Sequence, residues 1–277
     1  MRSKWNDKEA NLFIKKYKKK GISKELTLRI YSTRLLGNDP KMVLHGGGNT
    51  SLKLYTKNSF GKKEDIIFVK GSGKDMSNID VDGFPALELS NLIKLKKIKR
   101  MNDFQMVNYQ KKYMLDTSFP NASIETLLHA FLPHKYVDHT HSNAILSLID
   151  QSDDRNICKK IFGEDLGLVP YIMPGFELSK KASEIFKKNP NFKGLILLKH
   201  GIFTFGNTAR QSYERMIKFV SLAERELNKK PRYYQKYNFK EKKINPAKLS
   251  NIFRKYLSIS LNDDYERKVI SYSNNIF

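Results

Sequence analysis

The sequence predicts an α/β fold in which helices cover a central mixed or antiparallel sheet. Short apolar stretches typical of strands alternate irregularly with longer amphipathic stretches typical of helices. Residues 65–69, for example, have the pattern of a buried strand, and residues 207–227 have the periodicity of a helix. With 277 residues, 40% of them hydrophobic, the chain can bury the core of one main domain.

The elements can be assigned in order from the N-terminus. Residues 4–36 are expected to be helical because Leu12, Phe13 and Tyr17 begin a series at near-helical spacing. Strands are expected near 50–56, 65–70, 136–141, 168–173, 194–199 and 202–205. Further helices are expected at 85–99, 103–115, 123–133, 143–149, 153–162, 178–188 and 207–227.

The last fifty residues differ in pattern from the rest. Residues 228–243 lose the apolar periodicity and are predicted to be a linker. An amphipathic helix is expected at 246–260. The sequence therefore predicts a main domain at 1–227, followed by a linker and C-terminal helical extension at 228–277.

The net charge of +23 suggests an anionic partner, but the composition argues against nucleic acid. The 51 basic residues comprise 40 lysines and 11 arginines spread along the chain, whereas nucleic-acid readers usually cluster arginines. No apolar run approaches the roughly 20 residues of a membrane span, and the N-terminus lacks the apolar core of a signal peptide. Cys158 is the single cysteine, which excludes an internal disulfide. We therefore expect a cytoplasmic protein that binds neither nucleic acid nor membranes.

A His-x-His pair, His139 and His141, lies on a predicted strand. Residues two apart on a strand point to the same side, so both imidazoles can reach one cation. His200, at the start of a glycine-bounded turn, is the expected third ligand, because catalytic Zn²⁺ usually takes three protein ligands and keeps one position open. The alternative is a pair of solvated histidines on a half-exposed strand.

Two glycine-rich segments have the composition of anion-binding loops. The first glycine segment, residues 44–51, places three glycines before Asn49, Thr50 and Ser51. The second glycine segment, residues 70–74, follows a predicted strand. Their backbone N–H groups and short polar side chains can surround an anion, although each segment can also be a turn without a ligand. Neither matches a Walker A or dinucleotide-binding pattern, so nucleotide binding is not indicated.

Glu125 stands near the start of the helix predicted at 123–133. Asn121 or Ser123 is expected to cap this helix, which would place Glu125 in the first turn, where the helix dipole favours an anion. A first-turn carboxylate of this kind needs no catalytic role.

Two further histidines follow Glu125, one on the predicted helix and one at its end. His129 is expected to be hydrogen-bonded and partly buried; the alternative is that it orients Glu125, which lies on the same helix face. His134 is expected at the helix end, where a cation suits the last carbonyl groups.

Seven motifs occur in one order across residues 42–225. They are His-Gly-Gly-Gly-Asn-Thr-Ser (45–51), Val-Lys-Gly-Ser-Gly-Lys-Asp (69–75), Asp-Gly-Phe-Pro-Ala-Leu (82–87), Ala-Ser-Ile-Glu-Thr-Leu-Leu-His-Ala-Phe-Leu-Pro-His-Lys (122–135), Val-Asp-His-Thr-His (137–141), Val-Pro-Tyr-Ile-Met-Pro-Gly-Phe (169–176) and Leu-Leu-Lys-His-Gly-Ile-Phe-Thr-Phe-Gly (197–206). Together they resemble the class II aldolase/adducin family, and most closely the aldolase half of bifunctional rhamnulose-1-phosphate aldolase/alcohol dehydrogenase proteins. The resemblance implies a three-layer α/β/α sandwich with a central, mostly antiparallel mixed sheet.

The resemblance also implies roles for individual residues. The three zinc ligands of the family match His139, His141 and His200, and its catalytic acid/base matches Glu125. The positions that hold the substrate phosphate match Gly48, Asn49, Ser72, Gly73 and Ser123. Ile124 is a departure, because simpler sugar-phosphate aldolases of the family tend to carry a second serine there.

The implied activity is that of an aldolase with one Zn²⁺, or another divalent metal ion, per chain. It cleaves a ketose 1-phosphate such as rhamnulose 1-phosphate to dihydroxyacetone phosphate and an aldehyde. Such a cleavage requires a cation to stabilise the developing enediolate and a carboxylate to move protons. The alternatives are epimerisation or dehydration of a sugar phosphate at the same site, or a non-enzymatic binding module like the adducin head.

The resemblance implies a homotetramer as well. In the bifunctional relatives a dehydrogenase half follows the aldolase half, but the sequence contains no strand–Gly-x-Gly-x-x-Gly–helix unit. We therefore expect no NAD chemistry from these residues, and a separate dehydrogenase that acts on the aldehyde is the partner implied.

Overall fold

The computed structural model describes residues 1–57, 61, 63–229, 245–261 and 264–266. The chain divides into two compact units, Met1–Lys230 and Pro231–Phe277. Most of the linker predicted at 228–243 lies outside the described residues. None of the helices in the described part of the chain has the length and apolar character needed to cross a membrane.

The first unit is built around a seven-stranded sheet. Its strands are β1 Asn49–Lys57, β2 Lys63–Val69, β3 Ala86–Glu88, β4 Tyr136–Thr140, β5 Leu166–Val169, β6 Gly194–Leu197 and β7 Gly201–Gly206. Their order in the sheet is β3-β2-β1-β4-β7-β6-β5. Only β5 and β6 pair in parallel, so the sheet is mixed and mostly antiparallel, as predicted.

Nine α-helices accompany these strands in the described part of the first unit. They are α1 Asp7–Lys18, α2 Lys24–Gly37, α3 Leu89–Lys94, α4 Asp103–Lys112, α5 Thr126–Phe131, α6 Asn143–Ile149, α7 Asp154–Phe162, α8 Phe176–Lys188 and α9 Ala209–Leu227. Several begin at side chains that accept the free N–H groups of the first turn: Asn6 caps α1, Ser23 caps α2 and Thr208 caps α9.

The helices cover both faces of the sheet. One face is covered by α1, α2, α6, α7 and α9, and the strand residues beneath these helices include Ile196 and Ile202. The other face is covered by α3, α4, α5 and α8, and the strand residues there include Leu195 and Phe203. Adjacent residues of β6 and β7 thus contribute to opposite cores, as strand geometry requires. The predicted three-layer α/β/α sandwich is confirmed.

Two predicted boundaries are wrong in ways that tertiary contacts explain. Ala86–Glu88, expected to be helical, forms β3, because Leu87 pairs with Ile67 and is fully buried at the edge of the sheet. β5 ends at Val169 instead of continuing to residue 173, because Pro170 lacks a backbone N–H for the ladder.

The helix that follows Ser123 is shorter than predicted at both ends. Ala122 bridges to Gly71, and the Ser123 N–H donates to the Lys70 carbonyl at 3.2 Å, so α5 begins only at Thr126. It ends at Phe131, because the residue before Pro133 is disfavoured in the helical region. Glu125 therefore lies immediately before the helix and not inside its first turn.

In the second unit, the described residues form one helix and one hairpin. Helix α10, Pro246–Leu257, is capped by the Asn245 side chain. β8, Ile259–Leu261, and β9, Asp264–Glu266, then pair antiparallel. The helix expected at 246–260 is thus confirmed up to Leu257, and its last residues belong to the hairpin instead.

Candidate metal and active site

Three histidines meet at one end of the central sheet. His139 lies in β4 and His141 directly follows it, and their Nε2 atoms are 2.9 Å apart. His200 lies in the turn between β6 and β7, with its ring centroid 5.1 Å from that of His139. One possible ligand atom from each ring lies within 4.8 Å of the other two, so one ion can contact all three.

The turn that carries His200 depends on a glycine. Lys199 has a φ of 59°, a left-handed conformation that is uncommon for residues other than glycine. A Cβ atom at Gly201 would lie 2.6 Å from the Thr140 carbonyl oxygen and 3.1 Å from the ring of His139. Only glycine permits this close approach of β7 to β4, which holds His200 beside the other two rings.

The protonation state of each ring follows from its surroundings. His139 Nδ1 lies 3.0 Å from the carbonyl oxygen of Ile202, so Nδ1 carries the proton and Nε2 keeps its lone pair. Burial lowers the pKa of His139 well below its ordinary value, and it also lowers the pKa of His141 and brings that of His200 to about 4. The rings are therefore neutral near pH 7, which is the form that binds metal ions.

This arrangement fits a divalent metal ion. Glu125 Oε1 and His200 Nδ1 are buried without a hydrogen-bond partner among the described residues. Unpartnered buried polar atoms are costly, and a bound ligand is a common reason for them. Three neutral imidazoles with a carboxylate beside them match the donor set of an open catalytic metal site.

Glu125 lies against the three-histidine cluster. Its Oε2 atom is 3.3 Å from His139 Nε2, and its Oε1 atom is 3.4 Å from His200 Nε2. The side chain is nearly buried, and this desolvation raises the pKa of Glu125 to about 7, although the hydrogen bond from Asn49 and the charge of Lys70 oppose the shift. A carboxyl group in such surroundings is suited to accept and return a proton.

The residues proposed by the resemblance for phosphate lie on three adjacent segments. Gly48 and Asn49 are in the first glycine segment, Ser72 and Gly73 in the second, and Ser123 precedes Glu125. Ser72 and Gly73 are exposed, whereas the other three are buried. The Ser72 N–H donates to the Asn121 carbonyl at 2.7 Å, which holds the second segment next to the residues before α5.

Gly48 has a structural reason for being glycine. Its φ is +63°, and a Cβ atom there would lie 2.7 Å from the carbonyl oxygen of His139. Any side chain at this position would therefore push the first glycine segment away from β4.

Lys70 joins the two glycine segments and was not singled out in the sequence. Its side chain is only 2% exposed, and its Nζ atom donates to the carbonyl oxygens of Gly46 at 3.0 Å and Lys74 at 2.6 Å. Burial lowers the pKa of Lys70 to about 8. Its position directly before Gly-Ser-Gly was visible, but nothing distinguishes one buried lysine among 40 in a sequence.

His134 does not supply a cation at the end of α5, so that prediction is wrong. Its ring stacks on Phe205 with centroids 4.0 Å apart, and burial lowers its pKa to about 4. The donor at this helix end is Lys53 of β1, whose Nζ atom donates to the carbonyl oxygens of His129 at 2.8 Å and His134 at 2.9 Å. Burial against aromatic rings outweighs the favourable end of the helix dipole.

The fold agrees with the comparisons to known proteins. The family model of the class II aldolase and adducin N-terminal domain matches residues 29–227, and the chain belongs to this family. The prediction of an enzyme of the class II aldolase type is therefore confirmed at the level of the family.

Two relatives resemble the chain in sequence. It is 39% identical over 199 residues to YuxG of Bacillus subtilis (strain 168), named as an uncharacterized oxidoreductase; this region is 72% of the present chain but only 29% of the relative. It is 37% identical to the N-terminal class II aldolase domain of a conserved protein from Thermoplasma acidophilum, with a TM-score of 0.73 over 82% of this chain and 99% of that one.

A second solved structure shows similarity in fold alone. It is a sugar-phosphate aldolase from Thermotoga maritima, 16% identical, with a TM-score of 0.55 over 74% of this chain and 97% of that one.

Proposed function

We propose that this protein is a metal-dependent aldolase that cleaves a ketose 1-phosphate, such as rhamnulose 1-phosphate, to dihydroxyacetone phosphate and an aldehyde. The observation that carries the proposal is the position of Glu125, whose two carboxylate oxygens lie 3.3 Å from His139 and 3.4 Å from His200. A proton-transfer group thus stands directly beside three neutral imidazoles.

The residues of the chain account for both proton transfers of this reaction. The Glu125 carboxylate takes the proton of the C4 hydroxyl, the C4 oxygen becomes the aldehyde carbonyl, and the electrons of the C3–C4 bond remain on C3. Glu125 then returns the proton to C3. His139, His141 and His200 hold one divalent ion, for which we propose Zn²⁺; when bound, it supplies the positive charge that stabilises the carbanion left by bond cleavage.

The glycine segments support the phosphate half of the proposal. Ser72 and Gly73 are exposed, Asn49 and Ser123 are buried, and the buried ammonium group of Lys70, in the second segment, donates to the Gly46 carbonyl of the first. Backbone donors, short side chains and a nearby positive charge are features that bind phosphate groups. The similar fold of the Thermotoga maritima sugar-phosphate aldolase is consistent with this class of substrate.

The remaining parts of the proposal concern the oligomeric state, the cellular compartment and the partner of the enzyme. We propose a homotetramer; Leu44 and Ile124, each adjacent to a site segment, are exposed as a subunit interface would need. The buried, unpaired Cys158 suits a reducing compartment such as the cytoplasm. A separate dehydrogenase that consumes the aldehyde is the proposed partner; the longer Bacillus subtilis relative is named as an uncharacterized oxidoreductase, which is consistent with redox chemistry that follows cleavage.

The test is a panel of ketose 1-phosphates assayed for release of dihydroxyacetone phosphate, with elemental analysis of the same sample. Glu125→Gln preserves the shape of the side chain but removes its basicity, so kcat should fall by ~10²–10⁴-fold while the metal content is unchanged. Glu177→Gln is the matched control, because Glu177 is an exposed first-turn carboxylate of α8.

Three outcomes of this test would contradict the proposal. Epimerised or dehydrated sugar phosphate without dihydroxyacetone phosphate would replace cleavage with another reaction. No turnover of any member of the panel would favour a binding module. Equal effects of Glu125→Gln and Glu177→Gln would return Glu125 to the role of a helix-end carboxylate.

A further inference from the structure

A chain of buried hydrogen bonds leads from the core of the protein to Glu125. His129 Nδ1 lies 2.8 Å from Ser51 Oγ, and His129 Nε2 bonds to Asn49 Oδ1. Asn49 Nδ2 in turn donates to Glu125 Oε2 at 2.7 Å. Asn49 and Ser51 are two apart on β1 and so face the same side of the sheet, the side on which α5 carries His129.

With Glu125 ionised, the chemistry of the groups fixes the direction of every bond in this chain. The carboxylate only accepts hydrogen bonds, so the Asn49 amide must present its nitrogen to Glu125 and its oxygen to His129. His129 Nε2 therefore carries the ring proton, and Nδ1 accepts from the Ser51 hydroxyl. Burial lowers the pKa of His129 well below its ordinary value, in agreement with a neutral ring that has a single N–H.

The hydrogen bonds of the Asn49 side chain are all made within the protein. Its two amide hydrogens go to Glu125 Oε2 and to Ser123 Oγ at 2.9 Å, and its oxygen accepts from His129. The side chain is only 4% exposed. Both hydrogens of this amide are therefore used by Glu125 and Ser123.

We propose that His129 is a positioning residue that acts through Asn49: it fixes the orientation of the Asn49 amide, and the amide holds Glu125 against His139 and His200. Without the His129 N–H, the Asn49 amide can rotate and turn its oxygen toward Glu125. The amide oxygen and the carboxylate then repel each other. This inference rests on the proposed function only for its effect on kcat; the hydrogen-bond pattern is independent of the substrate.

The first test needs no substrate. In protein labelled with ¹⁵N-histidine, two-dimensional ¹H–¹⁵N spectra distinguish the two neutral tautomers and the charged ring. The His129 signals, identified by their loss in His129→Gln, should be those of the Nε2–H tautomer at pH 7. An Nδ1–H tautomer or a charged ring would overturn the proposal, whatever reaction the enzyme catalyses.

The second test separates positioning from simple stabilisation. His129→Leu removes the N–H donor, whereas His129→Gln retains an amide N–H that can reach Asn49 Oδ1. We expect His129→Leu to keep its metal and its KM and to lose about ten- to a hundredfold in kcat, because the released Asn49 amide no longer holds its hydrogen bond to the charged Glu125. His129→Gln should recover most of this loss.

The outcomes distinguish the two proposals from each other. Equal kcat losses in His129→Leu and His129→Gln, or an unchanged kcat in both, would overturn the positioning role. If the wild-type protein cleaves no ketose 1-phosphate, the proposed function is wrong. The tautomer measurement then still tests the hydrogen-bond directions proposed for His129 and Asn49. If His129→Leu does not fold, His129→Gln and the spectra of the wild type still give the answer.

Discussion

The two halves of the candidate site are built in different ways. The metal half consists of side chains: three imidazoles and one carboxylate, mostly buried, whose nitrogen and oxygen atoms face one another. The half proposed for phosphate consists largely of backbone, arranged by glycines such as Gly48 and by the buried Lys70. Residue type defines the first half and chain conformation the second, so single substitutions should affect them very differently.

The largest effect is expected where the side chains are the site. His139→Ala combined with His141→Ala removes two of the three imidazoles, and the protein should lose most of its metal and all measurable cleavage. Elemental analysis of the purified variant measures the metal. His134→Phe is the control, since His134 is also neutral and partly buried but lies outside the cluster. Undiminished metal content in the double variant would show that His139 and His141 do not bind the metal.

An intermediate effect is expected in the second half. Ser72→Ala removes one exposed hydroxyl and leaves the backbone in place. KM for a ketose 1-phosphate should rise by about ten- to a hundredfold, the range for one hydrogen bond to a charged group, and KM for the free ketose should hardly change. Ser118→Ala, at an exposed serine outside both glycine segments, is the control. Equal kcat/KM for phosphorylated and free ketose in the wild type would mean that these segments bind some other ligand.

The smallest effect concerns a histidine with no role in either half. The pKa of His134 is about 4 in the folded protein and about 6.5 when unfolded, so the unfolded chain binds more protons between these values. Stability is therefore lost as the pH falls from 6.5 to 4.

Phenylalanine at position 134 should keep the stacking on Phe205 without this penalty. Its Tm advantage over the wild type should widen between pH 7 and pH 4.5, as thermal unfolding at several pH values would show. A difference that does not change with pH would show that His134 is charged in the folded protein or exposed to water.

The sequence predicts the fold well where patterns are long and local. The periodicity at 143–149 and 178–188 places α6 exactly and α8 to within two residues. It fails at Ala86–Glu88, where pairing with β2 overrides a helical pattern, and at 123–125, where contacts with the second glycine segment delay the start of α5. These contacts join residues far apart in the chain, which local propensity does not register.

The same distinction applies to the candidate site. The His-x-His pair and His200 were found from spacing and turn position, and the structure brings them together. The sequence did not reveal the role of Lys70 or the hydrogen bonds of Asn49. Both depend on which buried groups these side chains contact, and a sequence does not show those contacts. The misjudged charge of His134 has the same cause: a sequence shows the helix end but not the rings of Phe186 and Phe205.

The buried ammonium group of Lys70 has a consequence for substrate capture in salt. The carbonyl oxygens of Gly46 and Lys74 hold its Nζ atom inside the protein. The charge of Lys70 thus lies where counter-ions cannot approach it closely. Mobile ions screen buried charges much less than surface charges. The affinity for a phosphorylated sugar should therefore change little with ionic strength, despite the many surface lysines of this protein.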